Sequence, residues 1–224
     1  MRRRMIFADR DEAGGLLAER LAEMILPDPL VLALPRGGVP VGAQIARRLD
    51  APLDVAFVRK LGAPDQPELA IGAVADGDSP EIVLNPDVVE TLGLTEDFIA
   101  SVAARELAAI ARRQQDYAAV RAEFSRKGRS VIIVDDGVAT GMTMQAALRS
   151  VRHNQPARVI AAVPVASPDA ANMLREEADD VVCLSAPRAF HSVGSFYQDF
   201  GQVSDDEVLT FLRQAAARLP HPAG

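Results

Sequence analysis

The chain has 224 residues, 49 % hydrophobic and 25 % charged, enough to bury the core of one α/β domain. Its formal charge of −7 disfavours a general nucleic-acid or anionic-membrane surface, so a polyanion site must be locally positive or assisted by a metal. No stretch has the length of a membrane span, no signal-length apolar run follows Arg2-Arg3-Arg4, and the single cysteine, Cys183, sits in an apolar run without a CxxC or disulfide framework, so a cytoplasmic protein with no membrane partner is expected.

Residues 10–25 carry Ala13, Leu16, Leu17, Leu21 and Met24 near helical spacing, and Pro27 and Pro29 end that helix. Residues 30–34 form a short apolar strand, stopped by Pro35-Arg36-Gly37-Gly38. Residues 39–49 read as the next helix, with Arg47 and Arg48 at the end where cations suit the dipole. A second strand over 53–58 ends in Arg59-Lys60, and residues 61–68, with Gly62, Pro64 and Pro67, read as a loop. Strands at 70–75 and 81–84 flank Asp76-Gly77-Asp78 as a hairpin. Thr95, followed by Glu96 and Asp97, opens a long helix predicted to run to about residue 124.

The strand at 131–134 is followed by a helix over 142–152, a strand over 158–165 and a helix opened by Ser167-Pro168-Asp169. A strand at 181–184 and a capping box at Ser204-Asp205-Asp206-Glu207 complete the pattern. Strands alternating with helices predict an α/β fold, a parallel central sheet flanked by helices, with the strand-to-helix loops at one edge. No repeat or linker interrupts residues 1–224, so a single domain is expected, and the long amphipathic helices leave a homodimer open.

The most informative segment is residues 131–143, VIIVDDGVATGMT. Four apolar residues make a buried strand, Asp135 and Asp136 end it, and a small-residue loop runs directly into a helix. Glycine lets backbone approach a phosphate, the helix N-terminus supplies unpaired N–H groups and the positive dipole end, and Thr140 and Thr143 add hydroxyls. The two carboxylates can accept hydrogen bonds from vicinal sugar hydroxyls, directly or beside a hydrated Mg²⁺. The arrangement suits a phosphorylated sugar. In Pro35-Arg36-Gly37-Gly38, two glycines beside an arginine likewise suit a turn whose N–H groups face an anion.

The segment resembles the ribose-phosphate signature of the type I phosphoribosyltransferases. Together with LALPRGG, VRKLGAP, AVPVASP and YQDFGQVSDDEV it resembles a bacterial group of uncharacterised members of that family along nearly the whole chain. The resemblance implies transfer of a 5-phosphoribosyl group from 5-phospho-α-D-ribosyl 1-pyrophosphate (PRPP) to a nitrogenous base, with Mg²⁺ as cofactor and release of pyrophosphate. It implies that Ala139, Thr140, Gly141, Met142 and Thr143 hold the 5-phosphate, and that Asp135 and Asp136 engage the ribose hydroxyls and the metal, directly or through water. Arg36 with the Gly37 and Gly38 backbone would hold pyrophosphate, next to a non-proline cis peptide, and Lys60 would neutralise the leaving group. A small C-terminal hood within 186–203 would select the base through Phe196 or Tyr197. The sequence departs from many family members at Gly137, where a bulkier residue is common, and carries no purine- or pyrimidine-selecting motif. A PRPP- or nucleotide-sensing regulator that kept the site without turnover is the alternative reading.

Overall fold

The computed structural model describes residues 6–77, 80–120 and 124–218. The N-terminal arginines, Asp78 of the expected hairpin turn and residues 121–123 of the expected long helix lie outside them. In chain order the elements are α1 (Arg10–Ala22), β1 (Pro29–Ala33), α2 (Gly38–Leu49), β2 (Leu53–Val55), β3 (Val58–Ala63), β4 (Gln66–Ala75), β5 (Glu81–Leu84), α3 (Pro86–Thr91), α4 (Glu96–Tyr117), β6 (Ser130–Val134), α5 (Met142–Arg152), β7 (Arg158–Val165), α6 (Pro168–Glu177), β8 (Asp180–Ser185) and α7 (Asp205–Ala216), with a 3₁₀ turn at Val193–Phe196.

Five strands pair in parallel in the order β2-β1-β6-β7-β8, the sheet expected from the alternating pattern. Beyond Ser130 and Arg158 at their starts, the central strands β1, β6 and β7 are apolar because both faces are covered. Side chains alternate across the sheet. Val31, Ala33, Ile132 and Val134 enter a core layer with Leu17, Ile45 and Leu212 from α1, α2 and α7. Leu30, Leu32, Val131 and Ile133 enter the opposite layer with Leu148 and Leu174 from α5 and α6. The strand order runs outward from β1 to β2 on one side and from β6 to β8 on the other. In an open sheet of this kind the loops diverge at that reversal and leave a crevice beyond the carboxyl ends of the strands. The loops after β1 and β6 therefore flank the natural binding position of the fold.

The predicted caps form. Thr95 accepts from the Phe98 amide, Ser167 from the Ala170 amide, and Ser204 and Glu207 make the reciprocal box.

The expected loop at 61–68 is instead the heart of a β-hairpin: β3 and β4 pair antiparallel, and β5 adds to β4 as a three-stranded sheet. The residues that suggested a loop mark local features of that hairpin. The register shifts at Gly62, and the turn follows at Pro64-Asp65, where Asp65 has φ 56°. The strand expected over 53–58 also breaks at Ala56-Phe57, where the chain leaves the parallel sheet for this second one.

Candidate active site at the carboxyl edge of the sheet

The loops leaving β1 and β6 run side by side. The Leu34 N–H donates to the Val134 carbonyl at 2.8 Å. A Cβ on Gly38 would lie 2.6 Å from that same carbonyl oxygen, and one on Gly37 would lie 2.0 Å from Asp136 Oδ2. Glycine is needed at both positions so that the start of α2 can approach the acidic pair this closely. The Pro35–Arg36 peptide is cis, as the resemblance implied. Among the described residues, the amides of Arg36 and Gly37 donate to no protein acceptor. The expectation for Gly38 is corrected: its amide donates to the Leu34 carbonyl at 3.0 Å and is not available to an anion.

After β6, Asp135 and Asp136 lead into a loop braced from below. The Val138 N–H donates to Val165 O at 2.9 Å, the Ser167 N–H to Val138 O at 2.9 Å, and the Ser167 hydroxyl to Ala139 O at 2.6 Å. Gly141 caps α5 at φ 89°, a conformation that L side chains rarely adopt, and its missing Cβ would meet Met173 Cε at 2.1 Å. The amides of Ala139, Thr140, Gly141, Met142 and Thr143 and the hydroxyls of Thr140 and Thr143 have no protein partner among the described residues. Ala139 and Thr140 are exposed. Unpaired N–H groups thus gather at a helix N-terminus, exposed at Ala139 and Thr140 and packed against Met173 at Gly141.

The acids have different surroundings. Asp135 accepts from the Asp136 amide at 2.8 Å. Burial, and then the charge of Asp136, push its carboxyl well above the usual range, against the pull of Arg10 and Lys60. Asp136 is also raised by burial, but Arg10 opposes this by charge and hydrogen bonding. The Arg10 Nε and Nη2 both lie 2.8 Å from Asp136 Oδ2, with the two side chains 12 % and 14 % exposed. Because Asp135 titrates higher in the folded protein than in the unfolded chain, its neutral form contributes stability that is complete below about pH 4 and lost as pH rises through the folded value. Asp135→Asn should therefore raise Tm at pH 7 by a few degrees, since about 1 kcal/mol moves a chain of this size by about 2–4 °C. Thermal melts should show no gain below about pH 4, and a gain that does not grow with pH would contradict this account.

Arg10 is the residue that sequence reasoning missed. It stands in the first turn of α1 beside Asp11 and Glu12, where the dipole favours acids. A cation in that turn was the available signal. Its guanidinium also donates to Gly201 O at 2.8 Å and lies 4.0 Å from the centre of the Phe200 ring. The hood holds it there. Phe7 bridges to Tyr197, the Phe7 amide donates to Phe196 O, and the Gln198 amide donates back to Phe7 O.

The aromatic wall expected of Phe196 or Tyr197 is corrected. Phe196 is fully buried and stacks on Phe190, so its ring belongs to the core. Tyr197 is 7 % exposed, and its hydroxyl donates to the Asp136 backbone carbonyl at 2.5 Å. The aromatic at the open surface is Phe200, which lines a cavity of about 420 Å³ with Arg10, Arg36, Gly37 and Asp136.

Alternation along β3 separates the two basic residues at its start. Arg59 turns to Glu106 on α4 at 2.6 Å. Lys60 is exposed, and its charge is felt at Asp135. The structure therefore brings Lys60, Asp135, Asp136, Arg36, Gly37 and residues 139–143 to one edge of the sheet, while Phe196 and Tyr197 support that edge from within.

Comparison with known proteins identifies the family. The family model described as phosphoribosyl transferase domain matches residues 9–200. A protein from Mycobacterium tuberculosis named for the same transferase, found in two strains of that organism, is 44 % identical over 210 residues, covering 94 % of this chain and 47 % of the relative. The chain thus spans about half the length of the curated relatives it matches. The crystal structure of TT1426 from Thermus thermophilus superposes with a TM-score of 0.80 at 48 % identity, covering 94 % of this chain and 99 % of that one. The matched region contains both loops, the acidic pair and Arg10, and this chain belongs to the phosphoribosyl transferase family.

Proposed function

We propose that the protein transfers the 5-phosphoribosyl group of PRPP to a nitrogenous base. The C1–O bond to pyrophosphate breaks, a C1–N bond forms, and the acceptor nitrogen loses a proton. The observation that carries this reading is the row of unpaired amides at residues 139–143, beside two carboxylates and opposite the free amides of Arg36 and Gly37. The first loop suits a phosphate monoester, the second suits pyrophosphate, and the acids lie between them where ribose hydroxyls would bind. As C1 becomes cationic, Asp135 supplies nearby negative charge, and a carboxylate beside the reacting centre can take the acceptor's proton. Lys60 and the Arg36 guanidinium face the charge that develops on pyrophosphate.

Among the described residues no group of three or more His, Cys, Asp or Glu side chains could hold a metal ion. Asp135, and Asp136 through the carboxylate oxygen that Arg10 does not take, would hold Mg²⁺ together with PRPP oxygens and water. Bound in that way, it would neutralise charge on the leaving pyrophosphate.

A panel of purine, pyrimidine and pyridine bases assayed with Mg-PRPP should give pyrophosphate release with at least one base. Release of orthophosphate, or tight PRPP binding without turnover on any base, would overturn the transferase reading; the second result would establish a sensor.

A further inference from the structure

Beyond the pyrophosphate loop, the cleft opens into a separate cavity of about 640 Å³. Arg36 from the loop after β1, Arg59 from β3, and Arg112 and Arg113 from α4 line it, with Asp116 and Asp205 as the acids. Such a concentration of guanidinium groups is notable in a chain with a formal charge of −7. The cations differ in what they already hold. Arg59 pairs with Glu106, and Arg113 pairs with Asp205. Asp205 also accepts from the Tyr117 hydroxyl at 2.6 Å and stands 3.7 Å from Arg36 Nη1. Arg112 is exposed and has no hydrogen-bond or ion-pair partner among the described residues. A carboxylate thus already sits among Arg36, Arg113 and Tyr117, which shows that the cluster accommodates an anion, and Arg112 is left unsatisfied on the same wall.

We propose that Arg36, Arg59, Arg112 and Arg113 form a second anion subsite, contiguous with the pyrophosphate loop, for a phosphate chain longer than pyrophosphate. Guanidinium forks match phosphate oxygens in pairs, and several around one cavity favour a ligand with several phosphates over a single one. A chain gripped by Arg36 shares one cavity with Arg112 and competes with Asp205 for Arg36 and Arg113. Orthophosphate and pyrophosphate offer fewer oxygens to share among these guanidinium groups. The inference shares Arg36 with the proposed PRPP site but does not require turnover.

The test is calorimetric titration with inorganic orthophosphate, pyrophosphate and tripolyphosphate at fixed ionic strength, because exposed cations are screened by salt. Tripolyphosphate should bind at least about tenfold more tightly than pyrophosphate, the gain expected of further charge-assisted hydrogen bonds. Arg112→Gln, which breaks no internal pair, should erase that gain and leave PRPP affinity unchanged. Asp205→Asn, which removes the competing carboxylate and keeps an acceptor for Tyr117, should increase it. Arg48→Gln, outside the cavity, should do neither. Equal affinity for pyrophosphate and tripolyphosphate, or a gain that survives Arg112→Gln, would overturn the subsite. A nucleoside triphosphate that binds more tightly than tripolyphosphate would assign the chain to a nucleotide, and equal affinities would assign it to an inorganic polyphosphate; either supports the subsite. Failure of PRPP to bind while tripolyphosphate shows its gain would remove the transferase reading and leave the subsite standing.

Discussion

Gly141→Val should lower the affinity for PRPP and for ribose 5-phosphate by about 100-fold or more in a protein that still folds. Two independent effects act at that position. The backbone sits at φ 89°, which a β-branched residue adopts only with strain of about 1–3 kcal/mol. The new Cβ would also fall 2.1 Å from Met173 Cε, so the loop or the methionine must move. Relief of the strain rotates the amides around residue 141 away from the row they form at the start of α5. A 100-fold loss corresponds to about 2.7 kcal/mol, the scale of losing one or two charge-assisted hydrogen bonds. Adding Met173→Ala removes the steric clash but not the dihedral strain, so affinity should stay low. Near-native affinity in folded Gly141→Val would remove the loop from the site.

Arg10→Ala should destabilise the protein by about 2–4 kcal/mol at pH 7, measured by denaturant unfolding, because it leaves Asp136 as a largely buried, uncompensated anion. The same change strips the Gly201 carbonyl of its donor and Phe200 of its cation. Without Arg10 the Asp136 carboxyl rises further, so the penalty should shrink as pH falls and Asp136 becomes protonated in both states. Arg10→Ala with Asp136→Asn should recover much of the loss, since no unpaired charge remains. The coupling energy from the double-mutant cycle then isolates the pair. If Asp136→Asn leaves the Arg10→Ala penalty unchanged, the stabilising role of Arg10 lies elsewhere.

How much of this was legible in the sequence depends on how local the cause is. Residues 131–143 announce their structure because a buried strand, its acids and a glycine-dependent cap are all set by near neighbours. The Ser204 box and the Ser167 cap are equally local. Arg10 and Asp136 are 126 positions apart, and nothing near Arg10 states its partner; only its misfit with the helix dipole hinted at a role. The burial of Phe196 and Tyr197 follows from the pairing of residues 7–8 with the hood, a contact that aromatic composition could not show. Gly62, Pro64 and Pro67 were read as a loop because a bulge and a tight turn use the same residues as one. The departure at Gly137 also has a tertiary cause, since Val193 of the hood and Val165 of β7 fill the space a side chain would need.

The central claim is that the start of α5 grips a phosphate monoester. A ¹H–¹⁵N correlation titration of the protein with ribose 5-phosphate tests it most directly. The account predicts saturable shifts concentrated at the amides of Ala139, Thr140, Gly141, Met142 and Thr143, lost in Gly141→Val. Shifts confined to other surfaces, with these amides unmoved at saturation, would contradict it.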